Sequence, residues 1–346
     1  MKQFEQNKFN YADAGNIFLF AILMPQLIGL FFVFFVSITA NFFGITYEIV
    51  MENIFAKVLT LFLAQIGFII VFFSYVYVKR IDWKNATKIK NKINLKQVVL
   101  LIVIAAVSLF MFSPLINLVD HLISLTGYAS SSELPIDLKT VSGVIIGVIS
   151  LAIFPAIFEE LVFRGVLFQG FIKKFDYKKA IVFSALLFAL MHTSIQQTTY
   201  QFIIGLMLAY AFYITGSLLA PIILHFFNNF IVIMLNIFVT GGEISPEPMF
   251  QSLSDYSEVL IFTAIGAYII WQLFVLLKKI SINNVFETEA VLQNVEDLAI
   301  IDTSTNESLA DVEVKIKRRF EPNYLFKIGI MLGILFWIFD FITYIS

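Results

Sequence analysis

Three short stretches put reactive side chains where hydrocarbon is otherwise expected. FEELVFRG carries Glu159, Glu160 and Arg164, FALMH ends on His192, and HFFNN carries His225, Asn228 and Asn229. Ionisable groups inside apolar runs are costly, and they face a partner, a cavity or a substrate path. Glu160 and Arg164 are four residues apart, share a helix face and can form an ion pair. Pairing matters because a lone buried charge is far costlier than a paired one. Glu159, about 100° around the helix, is left for a different neighbour. His225 and Asn229 repeat the four-residue spacing, as do Phe188 and His192, whose ring would wall the imidazole. Pro155, one turn before Glu159, predicts a kink that leaves backbone carbonyls free. Asn228 points away from Asn229 and reads as structural.

Two chemistries suit this set. In one, Glu159, His192 and His225 bind a divalent metal, zinc by preference, with water at the open position. In the other no metal is used. Glu159 acts as general base on a water with help from His192, and His225 with Asn229 stabilises the oxyanion. Both readings hydrolyse an amide beside the membrane, and the sequence leaves both open. The candidate catalytic set is Glu159, Glu160, Arg164, His192, His225 and Asn229.

Long helices must carry these residues. Of the 346 residues 59% are hydrophobic and only 14% charged, and 40 are Phe. A soluble domain is nearer half apolar and a quarter charged, so the fold class is an all-α polytopic membrane bundle. Zero cysteines exclude disulfides and thiolate chemistry. The first apolar run, Ile17 to Thr39, is longer than a signal-peptide core and reads as a retained anchor. Expected spans are 17–39, 54–78, 98–119, 141–172, 180–196, 199–215, 217–239, 258–277 and 325–345. The segment Lys79–Lys96 holds seven Lys or Arg against one Asp, and Lys173–Lys179 holds four against one. Lys278 and Lys279 open a third basic segment. With nine spans and a cytoplasmic N-terminus, all three lie on the cytoplasmic side, as the positive-inside rule requires. The basic runs are juxtamembrane and suit anionic lipid, and no nucleic-acid signature is present.

The organisation expected is N-terminal helices over 1–139, a catalytic core over 140–240, a further helix over 241–277, an acidic cytoplasmic linker over 278–324 and a last helix over 325–346. Counting residues from the basic loops puts Glu159 ~20 Å deep, His192 ~18 Å, and His225 and Asn229 ~12 and ~18 Å. Three helices thus bring polar groups to one level. His121, Glu258 and Asp340 sit near the outer ends of their helices and are expected to reach water. Most of the Phe residues are expected to face lipid.

EELVFR fits EExxxR, FALMH fits FxxxH and HFFNN fits HxxxN, in that order and on separate helices. This resembles the CPBP intramembrane proteases, also called the ABI or CAAX-protease-like family, which includes the type II CAAX prenyl endopeptidases. The similarity covers roughly residues 140–240. It implies a helical bundle of eight or nine spans enclosing a polar cavity open to the cytosol. It also implies Glu159 as catalytic carboxylate, His192 as its partner or a ligand, and His225 with Asn229 on the oxyanion or metal. Glu160 and Arg164 would orient the site or contact substrate. The implied substrate is a membrane-associated peptide or protein. Lys-, Asn- and Ile-rich usage points to a low-GC bacterium and its cell membrane. The rival classes are a non-catalytic immunity or scaffold protein of the same family and a secondary transporter with a mid-membrane Glu/Arg/His site.

Overall fold

The structure, a computed structural model, describes residues 9–128, 138–239, 253–281 and 324–344. The described residues are helical throughout, with no strand. In chain order the helices are α1 (Tyr11–Phe42), α2 (Tyr47–Glu52), α3 (Ile54–Lys79), α4 (Trp83–Ala86), α5 (Leu95–Ser124) and α6 (Val141–Ile172). They continue with α7 (Tyr177–Met191), α8 (Ile195–Thr215), α9 (Leu219–Val239), α10 (Leu253–Ile280) and α11 (Tyr324–Tyr344). Eight of them, all but α2, α4 and α7, are long and apolar enough to cross a membrane. The chain is a multi-pass membrane protein.

The expected span 180–196 is a shorter crossing than the others: α7 links the end of α6 to the start of α8, and α6 and α8 both finish beside residues 86–91. Its helix α7 has 15 residues and is only ~22 Å long, less than the ~30 Å hydrocarbon thickness. It stops at Met191, and α8 begins at Ile195. Residues 192–194, expected in the last turn of that span, therefore lie outside the helix. The acidic linker falls almost wholly outside the described residues.

Side-chain caps fix where several helices start. Asn10 and Asp13 form a capping box on α1, and Asn94 with Gln97 forms another on α5. Asp176 accepts from the Lys178 and Lys179 N–H groups at the start of α7. Those hydrogen bonds, with the Lys179 ammonium beside it, hold the Asp176 carboxyl below the usual carboxylate range. Gly216, at φ +61, ends α8 in the left-handed conformation that favours glycine.

The basic segments gather at one end of the bundle. Lys79 Nζ is 3.2 Å from Asp13 Oδ1 at the start of α1. The Leu218 N–H donates to the Lys88 carbonyl at 3.3 Å. Asn91 Nδ2 donates to the Gly216 carbonyl, and Gln169 Nε2 to the Ala86 carbonyl at 2.8 Å. Gln97 Nε2 donates to Ser281 Oγ at the end of α10. The loop rich in Lys is thus a floor on which the ends of α6, α8 and α10 rest.

Phenylalanines divide between lipid and core, against the expectation that most face lipid. Phe31, Phe34, Phe35 and Phe42 are exposed on α1, whereas Phe163, Phe168, Phe171, Phe188 and Phe212 are fully buried around α6. Two places need glycine for close approach. A Cβ on Gly170 would come within 2.5 Å of the Asn10 carbonyl oxygen and 2.8 Å of Ala14 Cβ. On α11, Cβ atoms at Gly329 and Gly333 would press on Leu19 backbone and the Leu190 side chain. These small residues four apart let α11 lie close on α1. Gly170→Ala should push the start of α1 away and lower stability by about 1–3 kcal/mol, read as a fall in thermal unfolding temperature in detergent.

Candidate active site

α6 carries the acidic motif and is not regular. It is wound as π-helix over Val148–Ile153 and again over Phe163–Phe168, a departure common near functional sites. Pro155 explains part of this. It has no N–H to give the Leu151 carbonyl four residues earlier. Asn229 of α9 supplies one instead, its Nδ2 donating to the Leu151 oxygen at 2.9 Å. The carbonyl expected to be freed by the proline is therefore held by a candidate site residue.

Beyond Pro155 the two carboxylates separate as their helical angle requires. Arg164 Nη1 donates to Glu160 Oε1 at 2.7 Å, and both side chains are fully buried. Arg164 Nη2 donates to the Gly205 carbonyl of α8 at 3.0 Å. The guanidinium also lies 4.6 Å from the centre of the Phe188 ring, a cation–π contact. Glu159 turns elsewhere, and its Oε1 accepts from Gln65 Nε2 of α3 at 3.1 Å.

The histidines take different partners. His225 Nδ1 is 3.0 Å from Glu160 Oε1. A carboxylate paired with arginine only accepts, so Nδ1 is the donor there. Through Nδ1 the imidazole of His225 joins the Glu160–Arg164 pair. His192 Nδ1 is 2.8 Å from the Phe188 carbonyl, again an acceptor, which leaves Nε2 with the lone pair. The Phe188 ring links the set, edge-on to both imidazoles with centroid distances of 4.9 Å to His192 and 5.9 Å to His225. His192 also lies within electrostatic reach of Glu159 and Arg164.

All six candidate residues line one region of the α6–α9 bundle, yet with different engagements. Glu160, Arg164 and His225 are directly bonded. Asn229 is committed to Leu151, and its Oδ1 accepts from Asn228 Nδ2 at 3.3 Å. Asn228 also donates to the Tyr200 hydroxyl. Glu159 Oε2, Glu160 Oε2 and Arg164 Nε are buried without a protein partner among the described residues. Such buried atoms demand a water or a substrate group. The expected metal set of Glu159, His192 and His225 is not assembled. Among the described residues no three His, Asp or Glu side chains form a group that could hold a metal ion. Gln65 takes one oxygen of Glu159, and the two imidazoles are bonded through Nδ1, so Glu159 Oε2 and both Nε2 atoms are outside these bonds.

Gln65 is a site residue that the motifs do not include. Its signal was a single amide in an otherwise apolar stretch of α3, LFLAQIGFII. Asp340, expected to reach water, instead accepts from the Ile195 N–H and the Tyr128 hydroxyl.

Fold and site together define a class: a polytopic helical membrane protein with a buried Glu–Arg–His cluster on adjoining helices. Within it, residues 141–231 match the family model described as Type II CAAX prenyl endopeptidase Rce1-like, a segment that contains all three motifs. The resemblance to the CAAX-protease-like family is thereby shown, and it supports a protease kind of enzyme. No curated protein and no solved structure matches the chain significantly.

Proposed function

We propose that the protein is an intramembrane endopeptidase that hydrolyses a peptide bond in a membrane-associated protein or peptide without a metal. The observation that carries this is Glu159. It is buried, anchored through one oxygen to Gln65, and keeps its other oxygen free of protein partners. That is the state a general base needs before water enters. A scaffold protein gains nothing from such an atom, and burial makes it costly.

Glu159 takes a proton from water as the oxygen attacks the scissile carbonyl, and it returns the proton to the leaving amine. His192, its tautomer fixed by the Phe188 carbonyl, offers Nε2 to the same water. Asn229 keeps a second Nδ2 hydrogen beyond the one given to Leu151, and that hydrogen meets the developing oxyanion. His225 gives its Nδ1–H to Glu160, whose carboxylate balances the charge when the ring takes a second proton. In that form His225 becomes a second oxyanion donor. Arg164 holds Glu160 in place for this purpose. The enzyme sits in a bacterial cell membrane with its N-terminus and basic end in the cytoplasm, and lipid covers its apolar flanks.

Membrane peptides from cells carrying the wild type and the Glu159→Gln variant test this reading. The wild type should yield products that the variant lacks, and purified wild type should keep cleaving in excess chelator. Identical peptide sets would refute proteolysis. Loss of cleavage with chelator, restored by zinc, would move the chemistry to the metal reading.

A further inference from the structure

α11 lies outside the segment that matches the family, yet it reaches the turn next to His192. Beside α7 it borders an apolar groove of about 730 Å³, lined among others by Phe183, Leu187, Phe202, Ile334 and Trp337. At the end of the bundle away from the basic loops the contact becomes polar. Asp340 Oδ2 accepts from the Ile195 N–H at 3.0 Å and from the Tyr128 hydroxyl at 2.9 Å. Trp337 Nε1 donates to Thr198 Oγ1 at 2.7 Å, and Thr198 Oγ1 donates to the Ser194 carbonyl at 2.7 Å.

The turn so held is His192–Thr193–Ser194. Thr193 has φ +50, a left-handed conformation that a β-branched residue adopts only under constraint. On one side the chain is fixed to α7: the His192 N–H donates to the Ala189 carbonyl, and the Thr193 N–H to the Leu190 carbonyl. On the other side α8 begins, and its first N–H groups have no partner within the helix. The N-cap residue Ser194 makes no side-chain cap. Asp340, from 145 residues along the chain, does so. Gln196, one residue further, is tied by its side chain to Asp120 of α5; Thr198 of α8 itself holds the Ser194 carbonyl, and Asp340 is the side chain from a distant helix that holds the backbone N–H beyond it.

We propose that Asp340 is a positioning residue for His192, acting through the left-handed Thr193. Releasing the Ile195 N–H lets Thr193 relax to an extended conformation. The turn then swings, and the imidazole loses its hold on the Phe188 carbonyl. The functional part of this inference rests on the proposed role of His192 in activating water. The structural part does not.

The test uses the full chain in detergent with ¹⁵N-labelled histidine. Only three histidines exist, so their ring signals can be assigned by single His→Gln variants. Wild type should show His192 as one tautomer protonated at Nδ1. Asp340→Ala should give mixed tautomers at His192 while leaving His225 unchanged. Asp340→Asn keeps an acceptor oxygen and should restore the wild-type signal. Thr193→Asn should restore it in the Asp340→Ala background, because Asn tolerates the left-handed region. In cleavage assays Asp340→Ala should lower kcat by about tenfold or more with KM nearly unchanged, as a misplaced catalytic group does. An unchanged His192 signal in Asp340→Ala, with or without a lower unfolding temperature, would overturn the proposal. If Asp340→Ala does not fold, the double variant with Thr193→Asn must fold and show the wild-type signal, and its failure would overturn it equally. Spectra that respond as expected in a protein that cleaves nothing would refute the proteolytic reading alone.

Discussion

Arg164→Ala should cost about 3–5 kcal/mol of stability, the range for breaking a buried ion pair from one side. The guanidinium is fully buried and holds Glu160, the Gly205 carbonyl and the face of Phe188 at once. Its removal leaves a carboxylate in a low-dielectric interior with only an imidazole for company. Denaturant or thermal unfolding in detergent would read the loss. A paired change, Glu160→Gln with Arg164→Met, should recover much of it, because both charges leave together. A single variant as stable as wild type would mean that the pair does not hold α6 against α8.

Glu159→Gln should behave in the opposite way. Glutamine keeps an oxygen that can accept from Gln65, so folding should be nearly unchanged, while the base is lost. Removing a general base lowers the rate by about 10²–10⁴-fold. The fall should appear in kcat for a cleaved peptide, with KM close to wild type. A variant that retains the wild-type kcat would remove Glu159 from the chemistry. Set beside Arg164→Ala, the pair of results separates a carboxylate that works from one that is held.

Much of this arrangement is legible in the order of residues alone, because local spacing fixes it. Four residues along a helix bring Glu160 to Arg164 whatever surrounds them, and the apolar runs fix the helices. Partners from distant helices leave no such trace. Nothing in the spacing says that Gln65 would take Glu159, or that His225 would choose Glu160. Those choices depend on how α3 and α9 rotate against α6. The apolar run of α7 also hid its end, since the break at Met191 comes from a strained turn and not from glycine or proline. Asp340 looked like a wet helix end because its partner is a backbone N–H, which leaves no mark in a sequence.

Pro155 illustrates how a missing hydrogen can act at a distance. The gap it leaves on one helix is filled by an amide from another, so the orientation of Asn229 is inherited from a ring closure 74 positions earlier. A residue usually regarded as a breaker here serves as a socket. Any relative that replaced the proline would have its own backbone compete for that oxygen, and the asparagine would be free to rotate. The two positions should therefore change together, one as the vacancy and the other as the plug.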